Sequence, residues 1–105
     1  MSLSNFRTYQ LAVQFHREVL RTKCPSYLRD QFLRASSSVA LNLAEGSAKP
    51  TEKDRLRFYL IALGSLRECQ AILDLMPKPE PQIIAIADQL GAHLYRLVHS
   101  GGSQV

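Results

Sequence analysis

No apolar run in this chain approaches the ~20 residues that a membrane-spanning helix needs. Its start, MSLSNFRTYQ, has neither the basic opening nor the apolar block of a secretory signal. Nowhere do apolar and polar residues alternate with period two, so no half-buried strand is expected. Cysteine is scarce: Cys24 and Cys69 stand far apart without a CxxC or Cys/His cluster, which predicts two reduced thiols rather than a disulfide. These absences point to a helical protein of the cytoplasm with no membrane partner.

The signatures of catalysis are missing as well. A carboxylate-bridged metal site in a helical bundle needs Glu-x-x-His pairs, which put both ligands on one helical face. Three residues after Glu18, Glu45, Glu52, Glu68 and Glu80 stand Arg21, Ala48, Arg55, Ala71 and Ile83, and none is histidine. His16, His93 and His99 form no HxxxH pair, so no metal is assigned. His16 falls on a core-side stripe and reads as a satisfied, half-buried histidine. Ser36-Ser37-Ser38 lacks the tight turn and the base that a nucleophile requires, and reads as small packing residues. There is no P-loop and no G-x-G-x-x-G. Neither an enzyme nor a cofactor is expected.

What the chain does contain is helical periodicity. It has 105 residues, 46% hydrophobic and 21% charged, enough for one domain with one modest core. The first helix is expected over 4–22, capped by Ser4 or Asn5, with Phe6, Tyr9, Ala12/Val13, His16 and Val19/Leu20 inward. Pro25 ends it, and a second helix follows from Ser26 to Ala44 or Glu45 with Gly46 as its C′ residue. Thr51 is placed to cap a third helix reaching Leu75, where Glu52 and Asp54 favour the helix dipole. Its expected stripe is Phe58, Ile61/Ala62, Ser65/Leu66, Cys69, Ile72/Leu73 and Met76. The run Pro77-Lys78-Pro79-Glu80-Pro81 breaks the chain before a fourth helix over 82–99, whose stripe is Ile83, Ile86/Ala87, Leu90, Leu94 and Leu97. The expected architecture is an all-α, up-down-up-down antiparallel four-helix bundle over residues 1–100, with 101–105 as a flexible tail.

The second helix carries more than one core stripe. Leu28, Phe32, Ala35, Val39 and Leu43 recur at steps of three and four and face a core. Leu33, Ser37, Ala40 and Ala44 form a second stripe of mostly small residues. Gln31, Arg34, Ser38, Asn42 and Glu45 make a polar ridge along the remaining flank, which reads first as a register-fixing surface between helices and second as a contact surface. Glu45 is expected to pair with Arg55, Arg57 or a loop amide. On the third helix, Leu56, Leu60 and Leu63 form an extra apolar stripe, and Gly64 reads as a site of close helix approach. This surplus predicts a homo-oligomer that assembles through the second and third helices.

Charge is uneven along the chain. Residues 1–67 hold 11 Lys/Arg against 5 Asp/Glu, whereas 68–105 hold 2 against 4. Nine of the thirteen basic residues are arginine, whose guanidinium suits bidentate phosphate contact. The residues expected to meet RNA or DNA are Arg17, Arg21, Lys23, Arg29, Lys49, Lys53, Arg55 and Arg57, with Arg7 beside them. Such contacts would be to phosphate, and nothing in the sequence reads bases. The second reading is a scaffold that binds a protein partner without touching nucleic acid.

Gln31, Arg34-Ala35, Ser38-Val39 and Asn42-Leu43-Ala44-Glu45-Gly46 match the pattern Q-x-x-R-A-x-x-S-[IV]-x-x-N-[IL]-A-E-G. Phe58, Ile61-Ala62, Gly64-Ser65 and Glu68 match the downstream F-x-x-[IL]-A-x-G-S-x-x-E. In these features, over roughly residues 6–76, the chain resembles the 23S ribosomal RNA intervening-sequence proteins, also called the bacterial four-helix bundle protein family. The resemblance implies a small cytoplasmic antiparallel bundle without known enzymatic activity. It also implies a pentamer, because related retroelement accessory proteins form ring-shaped pentamers that bind nucleic acid and a reverse transcriptase. The proline-rich connection and the short fourth helix depart from the family pattern.

Overall fold

The computed structural model describes residues 2–102 and contains four helices: α1 Arg7–Arg21, α2 Ser26–Ser47, α3 Glu52–Leu75 and α4 Pro81–His99. A 3₁₀ turn at Leu3–Asn5 precedes them, and no strand occurs among the described residues. Each helix packs on its two sequence neighbours and α4 returns to α1, which closes a square bundle. The most extensive pairing is between α2 and α3. The body measures 41 × 20 × 20 Å, about the proportions of helices stacked side by side along one axis. Short connections make neighbours antiparallel. One end, here the proximal end, therefore gathers the starts of α1 and α3 and the finishes of α2 and α4. The distal end gathers the α1–α2 and α3–α4 connections.

Two helices follow the expected phase. Leu28, Phe32, Ala35, Val39 and Leu43 of α2 are all buried, as are Ile83, Ile86, Ala87, Leu90, Leu94 and Leu97 of α4. The other two follow it in part: Phe6, Ala12 and Val19 at α1, and Ala62, Leu66, Cys69, Ile72, Leu73 and Met76 at α3, are buried as expected. In α1 the core is reached by Leu11 and Phe15, which the expected stripe left out, while Tyr9 and His16 are only half-buried. In α3 the fully buried aromatic is Tyr59 rather than Phe58, and Ile61 is 46% exposed. Phe15 meets Phe32 edge-on, with ring centroids 6.4 Å apart, and so locks α1 to α2 at mid-bundle.

The helix ends correct the expected caps. The residue before α1 is Phe6, which caps with backbone only, while Ser2 caps the preceding 3₁₀ turn through its side chain. Thr51 caps α3 as expected, its hydroxyl accepting from the Asp54 amide at 3.1 Å. Gly46 is not a C′ residue. It lies inside α2, buried, and helical geometry continues to Ser47.

Gly101 and Gly102, expected to belong to a flexible tail, instead close the end of α4. The amides of Gly101 and Gly102 donate to the carbonyls of Val98 and Leu97, which forms the paired C-terminal closure of a Schellman motif. Both glycines have positive φ, +72° and +87°; the motif requires the left-handed conformation at Gly101, and Gly102 extends it. Gly102 is buried against the first turn of α3. Residues 103–105 lie outside the described residues.

Candidate functional site

The polar ridge of α2 faces α3, and the two halves of the sequence motif meet there. Gln31 Nε2 donates to Glu68 Oε2 at 2.9 Å, and the hydroxyls of Ser38 and Ser65 share a hydrogen bond at 2.8 Å. Asn42 Nδ2 donates back one turn to the carbonyl and the hydroxyl of Ser38, at 2.9 and 3.0 Å. Further along, Gly46 brings the two backbones together. A Cβ placed there would lie 2.8 Å from Tyr59 Cε1 and 2.9 Å from Phe58 Cβ. The motif therefore encodes the register of the α2–α3 pair: glycine where the helices touch, serine where they nearly touch, and Gln/Glu where they splay.

Where they splay, a polar hollow of about 310 Å³ opens, lined by Gln31, Arg34, Ser38, Ser65 and Glu68. Arg34 is exposed, and its guanidinium makes no ion pair or hydrogen bond among the described residues, although its carbonyl accepts from the Ser37 hydroxyl at 3.0 Å. Glu45 departs from expectation. It pairs with Lys49 at 3.5 Å, four residues on and just past the end of α2, and not with Arg55 or Arg57.

The eight expected nucleic-acid contacts do not form one surface. The fold sends Arg17, Arg21, Lys23 and Arg29 to the distal end and Lys49, Lys53, Arg55 and Arg57 to the proximal end. Two of them are committed to the fold. Arg29 Nη1 donates to the carbonyls of Val19 and Thr22, and its Nη2 to Leu20, which satisfies the orphan acceptors at the end of α1. Arg55 bridges the Lys49 and Gly102 carbonyls at 3.1 and 3.2 Å, tying the α2–α3 loop to the end of α4. Arg21 pairs with Glu18 at 2.9 Å. Lys49 and Arg57 both approach the Phe58 ring, 5.1 and 4.7 Å from its centroid, which explains how Phe58 stays half-buried outside the core. Arg17, Lys23, Lys53 and Arg57 are exposed and lack a carboxylate partner among the described residues.

Arg96 is a cation that the charge count by sequence halves passed over. It belongs to the acidic half, yet α4 returns it to the proximal end. Its proximity shows in His93, whose pKa is lowered by burial first, then by the nearby Arg96 and Arg7 charges.

The apolar surplus has a mixed fate. Leu60 is 49% exposed, Leu56 and Leu63 are half-buried, and Leu63 and Ala40 pack against the core from its edge. Gly64 is exposed, and no atom lies within 4 Å of where a Cβ would stand, so no helix of the same protomer approaches it closely. Leu41, 68% exposed, lies on the outward face of α2.

His16 Nδ1 and Ser36 Oγ are 2.7 Å apart, and the Ser36 hydroxyl also donates to the Leu33 carbonyl at 3.2 Å, so the histidine is a satisfied polar link between α1 and α2. Burial lowers its pKa. Both cysteines are free thiols, and burial, reinforced by Glu68, pushes Cys69 up to about 12, so it stays protonated. Among the described residues, no three His, Cys, Asp or Glu side chains gather where a metal ion would sit. No helix among them is long and apolar enough to cross a membrane.

Four antiparallel helices, cross-linked by a polar seam between the second and third, define an all-α helical bundle protein. The family model for the 23S rRNA-intervening sequence protein matches residues 4–81, and the chain belongs to that family. The match takes in the end of the 3₁₀ turn, then α1, α2 and α3, and it stops as α4 begins. No curated protein matches the chain.

Proposed function

We propose that this protein is a non-catalytic, self-associating bundle of the cytoplasm that holds RNA or DNA through its basic ends. The observation that carries the reading is the set of exposed cations without carboxylate partners, Arg17 and Lys23 at one end and Lys53 and Arg57 at the other. Phosphate neutralisation by such groups needs no pocket and no base contacts. Separate clusters on one protomer give weak binding, and assembly multiplies them. The exposed Leu41 of α2 and Leu60 and Ile61 of α3 supply apolar area through which copies meet, and the family resemblance favours a pentamer.

The test is a fluorescence-anisotropy titration of nuclease-treated protein into structured RNA and duplex DNA at about 50 and 200 mM salt. Micromolar binding that weakens tenfold or more across that range supports the reading. Absence of binding at the lower salt overturns it. The same exposed leucines then favour the second reading, a scaffold for a protein partner.

A further inference from the structure

Neither the polar seam nor the basic ends involve the opposite flank of α3, and that flank is not closed. Between the finish of α3 and the start of α4 lies a groove of about 540 Å³, floored by Leu73, Met76 and Ala87 and edged by Ile84 and Pro79. A smaller hollow of about 210 Å³ continues it toward Leu63 and Tyr95, and the two share Gln70 and Asp88. From Leu63 to Met76 the groove follows α3 for roughly 20 Å at 1.5 Å per residue. Gly91 keeps the middle open: a Cβ there would already touch Gln70 Nε2 and Leu66 Cδ2 at 3.6 Å, and anything longer would enter the passage.

The charges of the groove are unspent. Asp74 and Asp88 line it and make no ion pair or hydrogen bond among the described residues. They stand in the half of the chain with a surplus of acid. Arg67 stands at the other mouth beside Tyr95, which is 55% exposed. An elongated apolar floor of about four helical turns calls for side chains recurring at three and four residues. Two unpaired carboxylates call for lysine or arginine flanking that apolar stripe. A helix dipole adds a direction, its positive start favouring the carboxylates and its negative finish favouring Arg67.

We propose that the α3–α4 groove docks a cationic amphipathic helix of a protein partner, its first turn over Asp74 and its last beside Arg67. The surface is separate from the basic ends, so this inference stands or falls independently of nucleic-acid binding.

The experiment titrates the full chain into a fluorescein-labelled Leu/Lys amphipathic peptide of about 14 residues, the length that spans ~20 Å as a helix. A Leu/Glu peptide of the same pattern serves as the counterpart. Micromolar binding of the Leu/Lys peptide is expected, and none of the Leu/Glu peptide. Asp74→Asn with Asp88→Asn should weaken it about fivefold or more, as two rim charge pairs are lost. Ile84→Ser, at a position already 37% exposed and therefore safe for folding, should weaken it as well. Gly91→Gln should block it, with a thermal melt confirming the fold.

Equal affinity for both peptides, or affinity unchanged by the aspartate and Ile84 variants, overturns the proposal. Full competition by spermine overturns it too, because charge alone would then suffice. Sedimentation of the aspartate variant adds a final arm: loss of self-association would assign the groove to a second copy and remove it from a foreign helix.

Discussion

Gly46 passes so close beneath Tyr59 that the ring edge occupies the place a Cβ would take, 2.8 Å from Cε1. Tyr59 is fully buried and the neighbouring Phe58 Cβ is as near, so neither can withdraw cheaply. Gly46→Ala is therefore expected to destabilise the bundle by about 1–2 kcal/mol, overpacking outweighing the ~1 kcal/mol of helix propensity that alanine gains. Gly64→Ala is the contrast. It meets open space and should stabilise an isolated protomer by about 0.5–1 kcal/mol. Urea denaturation of the two variants should give shifts of opposite sign.

Arg29 separates folding from binding among the basic residues. Its guanidinium holds three carbonyls at the end of α1, so Arg29→Ala should cost about 1–3 kcal/mol. Arg17→Gln and Lys23→Gln, both at exposed positions, should stay within about 0.5 kcal/mol of the parent. A thermal melt that moves for all three alike would contradict this division.

Acid should weaken the fold through two histidines. Burial lowers the pKa of His16 and of His93 from the ordinary 6.5, so the unfolded chain takes up protons before the folded one. That stability is complete above pH 6.5 and declines as the pH falls toward the depressed folded values. Urea midpoints taken from about pH 8 to pH 5 should fall on the acid side. His16→Gln combined with His93→Gln should flatten the decline.

Gly102 makes a prediction at the chain's other extreme. At φ +87°, with the Glu52 carbonyl 2.8 Å from where a Cβ would be, Gly102→Ala is strained by conformation and by contact together. Gly101→Ala is strained by conformation alone, its nearest neighbour being the tip of the Glu52 side chain at 3.7 Å. The first should destabilise by about 2 kcal/mol and the second by about 1 kcal/mol, as left-handed residues commonly do. Hydrogen exchange at the Gly102 and Gly101 amides would rank them directly.

The elements of the fold were legible because α2 and α4 each carry one apolar stripe of clear phase. In α1 the expected stripe Phe6–Tyr9–Ala12–His16–Val19 took in half-buried Tyr9 and His16 and missed Leu11 and Phe15, which widen the buried arc and carry the packing against Phe32. In α3, apolar residues occur nearly all round. Period alone does not decide between Phe58 and Tyr59, whereas Lys49 and Arg57 can shelter the former outside the core. The polar ridge was visible as spacing, but Asn42 bonds back along α2, Glu45 reaches Lys49, and the bonds that cross to α3 come from Gln31 and Ser38. The partners themselves lie 37 and 27 residues away, beyond the reach of any periodicity. The capping by Arg29 and the anchoring by Arg55 were invisible for the same reason, since charge counting treats a guanidinium bound to carbonyls and a free one alike.

An even number of helices brings the chain back to the pole from which it set out. Ser2 and Gly102 thus belong to the same pole as Lys53, Arg57 and Arg96. An affinity tag or fused domain joined at either place would crowd that pole and leave Arg17 and Lys23 bare. Tagged and untagged preparations should differ in nucleic-acid affinity at one pole only, and the difference would report which of the two carries the contact.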